Sequence, residues 1–379
     1  MTEQSADLAA LRAQLDGLDR TLLQTAANRA EVVKQIALAK AGQRHPLFDR
    51  ARERQVFEKA ERVGNELGLD PQVARGLMAV QVEASHRIQE RAARQVDRAS
   101  GAGVKHLAIV GGRGQMGQLF ARAFEERGHR VTPLDVEDDL TTHEAVSDAD
   151  VVMIAVPMSA AVGVIRVVAP RLKPDALLCD INSLKAEVCE AMAASATGET
   201  LGLHPMFGPS VRSLRRQKVV VCPLKAGPMG DWLTGELGRL GFELIEAEPD
   251  AHDRMMAVIQ VLVHFSTIVM GEALRETGTT VEDSLKFTSP IYRLELAFVG
   301  RLFAQDPELY AEICMANPHS ASVRRTFLNA ANAVDAAVES GDRESFSALF
   351  ASVHDWFHGF GEEAMALSDF IIEALVTRP

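Results

Sequence analysis

The apolar run His106–Val110 is followed at once by Gly111-Gly112-Arg113-Gly114-Gln115-Met116-Gly117, and then by a helical stretch to Arg127. No other feature restricts the fold so tightly. A short strand, a glycine turn and a helix make the first half of a βαβ unit, and GxGxxG at Gly112, Gly114 and Gly117 gives that turn a use. Gly112 permits the tight turn, Gly114 lets a pyrophosphate approach the backbone, and Gly117 allows the helix to pack closely on the strand. Gln115 and Met116 open the helix, whose N-terminus presents N–H groups to phosphates. The next apolar run, Val131–Leu134, ends at Asp135. A carboxylate there accepts bonds from adenosine ribose hydroxyls and repels a 2′-phosphate, so NAD is expected over NADP. Arg113 faces either solvent or the pyrophosphate; the sequence does not choose.

Further runs at Val151–Val156, Ala176–Asp180, Thr200–Leu203, Lys218–Cys222 and Phe242–Ile245 alternate with helical stretches. That alternation implies a mostly parallel sheet covered on both faces. From about Pro249 to the end the pattern is helical. Ser100-Gly101-Ala102-Gly103 reads as a flexible linker, and everything before it reads as helix. Leu8, Leu11, Leu15, Leu18 and Leu22 form a 3-4-3-4 seam with no breaker until Gly42. A helix of about 40 residues, roughly 60 Å long, cannot bury that seam within so short a segment. A second copy is expected to cover it, giving a homodimer. Pro46 can open a second helix, and Asp70-Pro71, an N-cap followed by proline, a third.

At 379 residues the chain exceeds one ordinary core and predicts two or three domains. Its net charge is −12, yet residues 1–98 carry 16 Lys and Arg against 14 Asp and Glu, so the acidity lies in the remainder. An acidic bulk argues against nucleic acid as a partner and leaves small anions held by local arginines. Apolar runs such as Val151–Met158 and Val258–Val263 fall far short of the ~20 residues of a membrane span, so no membrane is expected. The polar N-terminus predicts no secretory signal. Cys179, Cys189, Cys222 and Cys314 show no metal-ligand spacing, which fits free thiols in a reducing cytoplasm and no metal.

Arg29 stands on the leucine seam where an apolar residue belongs. Arg29 and Lys40, eleven residues apart, lie only about 20° apart around the helix and roughly 16 Å apart along it, so they can bracket one anion. Arg12 points about 100° away from Arg29, where it could reach a partner's site. Asp49, Arg52 and Glu53 share one face of the second helix, and Ser85 and Gln89 one face of the third. Spacing alone leaves these as ordinary surface charges. His204, within Gly202–Pro209, follows a strand at the sheet edge where ligands of open α/β sheets bind, and Ser183 and Lys185 follow the strand ending at Asp180.

The segment "LRAQLDGLDRTLLQTAANRAEVVKQIALAK…RARERQ…EASHRIQE" resembles the all-helical chorismate mutase family. The segments "IVGGRGQMGQLF", "LGLHPMFGP" and "TSPIYRLELAFVGRLFAQDPELYAEI" look like prephenate dehydrogenase. Together, in this order, they resemble the bifunctional chorismate mutase–prephenate dehydrogenase family over nearly the whole chain. The resemblance implies an all-α mutase domain (1–98), an α/β Rossmann-like NAD-binding domain (104–248) and an all-α C-terminal dimerisation and substrate domain (249–379). It implies conversion of chorismate to prephenate, then NAD-dependent oxidative decarboxylation of prephenate to 4-hydroxyphenylpyruvate, in tyrosine biosynthesis. It places Lys40 and Gln89 as donors to the breaking ether oxygen, and Arg29 with a partner's Arg12 on the two carboxylates. Glu53 would accept from the ring hydroxyl, with Ser85, Asp49 and Arg52 positioning substrate or neighbours. His204 would be the catalytic histidine and Arg301 the binder of the ring carboxylate. Ser183 and Lys185 fall in an S-x-K loop near nicotinamide and substrate, while His252, His264 and Arg293 match polar positions of the helical domain. The fused arrangement also resembles enzymes under feedback by tyrosine. The alternatives are an arogenate-preferring dehydrogenase and a non-catalytic sensor of NAD and aromatic metabolites. Retention of His204 and Lys40 speaks against the sensor, since binding alone needs no proton acceptor.

Overall fold

The structure, a computed structural model, describes residues 3–41, 50–100, 103–211 and 213–376. Side chains at 3–7, 40–41, 50, 90–91 and 93–100 lie outside the description. Contacts divide the chain into two units, Met1–Lys105 with Arg122–Arg130, and His106–Ala121 with Val131–Pro379.

The first unit is built on α1 (Glu3–Ala41), α2 (Arg50–Glu66) and α3 (Pro71–Ser100), with α3 packed on both others. Asp70 caps α3 as its sequence predicts, its Oδ1 accepting from the Gln72 N–H at 2.7 Å. Gly68, at φ +73°, lets the chain leave α2 for the turn. Among the described side chains the buried apolar ones are few and small, Val33, Ala37, Ala74, Val82 and Ala92, while the leucine seam from Leu8 to Leu22 is at least half exposed. Pro46 and Asp49 lie outside the described residues.

In the second unit each of the seven apolar runs is a strand: β1 (His106–Val110), β2 (Arg130–Leu134), β3 (Val151–Ile154), β4 (Leu177–Asp180), β5 (Glu199–Pro205), β6 (Lys218–Lys225) and β7 (Glu243–Glu246). The order across the sheet is β2-β1-β3-β4-β5-β6-β7. β1, β3, β4 and β5 run parallel, β6 turns back against β5, and β7 is parallel to β6. β3 and β4 are buried from end to end, which is why they read as unbroken apolar runs. The connecting helices are α4 (Gln115–Glu126), α5 (Glu144–Asp148), α6 (Met158–Val168), α7 (Ala186–Ser195) and α8 (Pro228–Arg239). Ile165 of α6 and Met192 of α7 join Val110, Ile154 and Leu178 in the core.

The remaining helices are α9 (Pro249–Met256), α10 (Val263–Glu276), α11 (Val281–Lys286), α12 (Pro290–Phe303), α13 (Pro307–Ala316), α14 (Ser320–Glu339), α15 (Arg343–Trp356) and α16 (Gly361–Val376). A π-helical turn, Ala257–Leu262, joins α9 to α10 without a break. The resulting helix, Pro249–Glu276, is long and apolar enough to cross a membrane, with a mean hydropathy of 1.6 in its most apolar window. The apolar runs in it remain short, because polar residues such as His264 and Ser266 interrupt them without lowering the average much. The helix starts with His252 and Asp253, both buried, and its π turn packs on α13 and α14. Only 11% of that apolar window is buried, and Val258, Ile259, Val263 and Met270 form an exposed apolar face.

Candidate active sites

The glycine loop joins β1 to α4. Gly111, which lies outside the six-residue motif, is the residue with positive φ (+84°). A Cβ on Gly112 would stand 2.7 Å from the Ile109 carbonyl oxygen and the Pro133 Cα, and one on Gly117 would collide with the Gly111 carbonyl. One on Gly114 would meet only that carbonyl, at 3.2 Å, so the backbone there stays open to a ligand. Gln115 and the half-buried Met116 form the first turn of α4. The Gly111 and Gly112 N–H groups both donate to the Leu134 carbonyl, at 2.8 and 2.9 Å, which pins the loop beside Asp135. Asp135 accepts from the Arg113 and Val136 N–H groups and keeps a half-buried carboxylate at the end of β2. The Arg113 guanidinium pairs with Glu137 at 2.7 Å and Asp138 at 2.9 Å. Of the two orientations the sequence left open, it therefore takes neither cleanly: it lies against the acidic turn after β2. Open backbone, helix N-terminus and ribose-side carboxylate together fit a dinucleotide.

His204 lies near the end of β5, 2% exposed. Its Nδ1 is 2.8 Å from His252 Nε2, and His252 Nδ1 is 2.7 Å from Asp253 Oδ1. Asp253 also accepts the Lys185 N–H at 2.8 Å and the Ala186 N–H at 2.9 Å, capping α7 from α9. Burial works against its charge, but the bonds from His252, Ala186 and Lys185 outweigh it and hold the carboxyl below the usual range. On the other side of His204, the amide nitrogen of Gln260 stands 3.4 Å from Nε2. Burial, then the Lys185 charge and His252, hold the His204 imidazole well below its ordinary pKa. It is therefore neutral at pH 7.

Lys185 is 0% exposed, with its Nζ bonded to Asp180 and, at 2.7 Å, to the Leu203 carbonyl. A Cβ at Gly202 would stand 3.3 Å from Lys185 Cδ and 2.6 Å from Cys189 Sγ, so glycine leaves the strand room for this chain. The ammonium is thus turned inward beneath His204, not outward to a ligand. Burial pushes the Asp180 carboxyl up, against the pull of Lys185. Ser183 is half-buried on the same loop. Neighbouring Cys222 is pushed up by burial to about 12, so its thiol is inert at neutral pH.

His264 meets Tyr310 edge-on, ring centroids 4.9 Å apart. Burial lowers the pKa of His264 and raises that of Tyr310, the latter against the pull of nearby Arg301. Arg301 and Arg293 are both exposed on α12, about 80° apart around it. The structure thus joins His204, His252 and Lys185 in one cluster and His264 and Arg301 around Tyr310.

In the first unit Arg29 Nη1 donates to Ser85 Oγ at 2.5 Å and to the Gln81 carbonyl at 2.8 Å, tying α1 to α3. Burial lowers the pKa of its guanidinium. Gln89 is half-buried one turn beyond Ser85, and Glu53 of α2 meets His86 Nε2 at 2.9 Å. Arg52 is exposed and bonds Gln55, and Arg12 is exposed on α1. The side chains of Lys40 and Asp49 lie outside the described residues. Asp180, Asp253, Gln260, Tyr310 and His86 were not singled out by the sequence. Asp253 had one available signal, its place beside His252; Gln260 had none, since only the π turn carries it to His204.

Fold and sites define a class: a helical unit with a part-buried arginine, on one chain with an NAD-type dehydrogenase that holds a buried histidine at the end of a sheet strand. The profile "Chorismate mutase type II" matches residues 11–90, "Prephenate dehydrogenase, nucleotide-binding domain" residues 123–233, and "Prephenate dehydrogenase, dimerization domain" residues 248–352. The T-protein of Enterobacter agglomerans is 35% identical over 352 residues, covering 93% of each chain. The T-protein of Haemophilus influenzae is 33% identical over 367 residues, covering 96% of each. Among solved structures, prephenate dehydrogenase from Aquifex aeolicus with hydroxyphenyl propionate and NAD+ superposes with a TM-score of 0.56 at 18% identity, over 66% of this chain and 96% of that one, a likeness of fold. The chain belongs to the T-protein family, the bifunctional chorismate mutase–prephenate dehydrogenases.

Proposed function

We propose that this homodimeric, cytoplasmic enzyme rearranges chorismate at the α1–α3 site. It then oxidises and decarboxylates prephenate, in preference to arogenate, at His204. The observation that carries the dehydrogenase half is a neutral, buried imidazole at the end of a parallel-sheet strand, on the edge that also holds the glycine loop. NAD, when bound along Gly112–Gly117 with its ribose on Asp135, supplies the hydride acceptor. His204 Nε2 takes the proton of the ring hydroxyl as that carbon becomes a carbonyl, while the ring carboxylate departs as carbon dioxide and the ring aromatises. Arg301 holds the ring carboxylate, and the tight packing around His204 keeps water from the base.

The mutase reaction needs no proton transfer, so its residues act by holding a compact conformer and stabilising charge. Arg29, fixed by Ser85 and the Gln81 carbonyl, presents its guanidinium to one carboxylate, with Arg12 of the second copy on the other. Lys40 and Gln89 donate to the ether oxygen, and Glu53 accepts from the ring hydroxyl. The exposed leucine seam of α1 and the match to a dimerisation domain support the dimer. Tyrosine, which shares the product's hydroxyphenyl ring, is the proposed feedback ligand. The test is incubation with chorismate, with and without NAD. Prephenate accumulates without NAD, and NADH with 4-hydroxyphenylpyruvate forms with it; consumption of chorismate with no NADH in either case overturns the proposal. Arogenate supplied in place of prephenate is turned over with a lower kcat/KM.

A further inference from the structure

We infer that Asp253 and His252 are positioning residues that set the tautomer of His204, leaving its Nε2 bare towards the substrate. The inference deepens the dehydrogenase reading and rests on it for the identity of the proton that His204 accepts.

Asp253 keeps its carboxylate because three donors converge on it: His252 Nδ1 at 2.7 Å and the N–H groups of Lys185 and Ala186. A carboxylate is acceptor-only, so the proton between it and His252 sits on His252 Nδ1. With a single proton, on Nδ1, His252 has a lone pair on Nε2, and that nitrogen is 2.8 Å from His204 Nδ1. Neutral His204 must place its single proton on Nδ1 to make this bond, and Nε2 is left without one. Gln260 places its side-chain amide 3.4 Å from His204 Nε2 on the far side, where it can donate to an unprotonated ring nitrogen. The π turn that carries Gln260 there is an irregularity of the kind that gathers at functional sites.

The same bonds fix the ring's orientation. The His252 side chain is 0% exposed and that of Asp253 1% exposed. Asn317 Nδ2 anchors α9 from the end of α13 through the Asp253 carbonyl at 2.9 Å. The other titratable groups around the cluster are Lys185 and Asp180, paired with each other, Glu248 at the start of α9, and the thiols of Cys189 and Cys222. Burial keeps both thiols neutral. Lys185 opposes a second proton on His204, as its charge beneath the ring helps to hold the imidazole neutral. The family resemblance gave His252 only a polar position in the helical domain; in the structure it is buried and both its ring nitrogens bond within the protein, which leaves none for a ligand.

The test uses the full-length enzyme with histidine ¹⁵N labelling, His204 resonances being assigned with His204→Asn. At neutral pH and without substrate, His204 is expected as the Nδ1–H tautomer. Replacing the acceptor in His252→Leu removes the preference, and kcat falls by about 10²–10⁴ with little change in KM for prephenate. His252→Gln, which offers a carbonyl to His204 Nδ1 and an amide donor to Asp253, retains the tautomer and restores kcat to within about tenfold of wild type. Both variants leave the Asp253 cap on α7 in place, and chorismate mutase activity and NAD binding report that the chain is folded. A His204 that is Nε2–H in the wild type, or equal loss in the Leu and Gln variants with folding intact, overturns the inference. Loss of all prephenate oxidation in a wild type that shows the Nδ1–H tautomer would instead overturn the dehydrogenase reading and leave the tautomer assignment standing.

Discussion

His204 shows how burial changes the working range of a residue whose type alone was legible. Its place at the carboxyl end of a strand was readable, although β5 runs on through His204 to Pro205, and an ordinary histidine titration range suits a base near neutral pH. The structure lowers that range, first by desolvation and then through the Lys185 charge. Neutral imidazole is the form that accepts the hydroxyl proton, so activity is lost as pH falls through the folded-state pKa. The acid limb of kcat/KM for prephenate is therefore expected below the usual histidine value of about 6.5. His204→Asn should remove that limb and cut kcat by about 10²–10⁴. An acid limb unchanged in the mutant assigns the base to another group. Lys185→Met tests the buried pair: it leaves Asp180 ionisable, fully buried and without its cation. Such a removal costs about 3–5 kcal/mol, measurable by denaturant unfolding of the dehydrogenase unit. A loss under 1 kcal/mol would mean that the pair contributes little to the fold.

At the scale of elements, the apolar runs of the chain were sufficient for every strand, most plainly for β1, β3 and β4, since a parallel strand buried on both faces leaves an unbroken apolar run. They could not show that β6 reverses against β5, since direction leaves no mark on a run such as Lys218–Cys222. Nor could they show the π turn, which differs from α-helix by one residue in its bonding and not in its composition. Half of the site was hidden for a related reason. Asp180 and Asp253 look like any acidic residue at the end of a strand or start of a helix until the fold sets them beside Lys185 and His252. The glycine loop was legible because close approach excludes every other side chain. Gly117→Ala places a methyl group against the Gly111 carbonyl, so NAD affinity should fall by at least tenfold while mutase turnover is retained. Unchanged NAD affinity by titration would contradict that packing. Asp135→Ser, by removing a charge beside the ribose, should narrow the preference for NAD over NADP, read as the ratio of kcat/KM values.

Over the whole molecule, the leucine seam and the outward-pointing Arg12 raise one question, namely whether a mutase site is completed by a second copy. Leu15, Leu18 and Leu22 are more than half exposed on a helix whose own unit buries little else. If Arg12 acts across the dimer, Arg12→Ala and Arg29→Ala are each inactive as mutases, but mixed dimers contain one site with both arginines. Unfolding and refolding the two variants together should therefore restore mutase activity that neither shows alone; no recovery would place Arg12 and Arg29 in the same chain's site or outside it altogether. The central claim is that one chain carries two separate sites, one that only orients and one that also takes a proton. Progress curves with chorismate and NAD for Arg29→Ala and His204→Asn test it most directly. Arg29→Ala should lose mutase turnover by at least 10²-fold while oxidising supplied prephenate at near the wild-type rate. His204→Asn should convert chorismate to prephenate normally and stop there, with prephenate accumulating in the presence of NAD. Parallel loss of both activities in either variant, with the fold intact, would contradict the account.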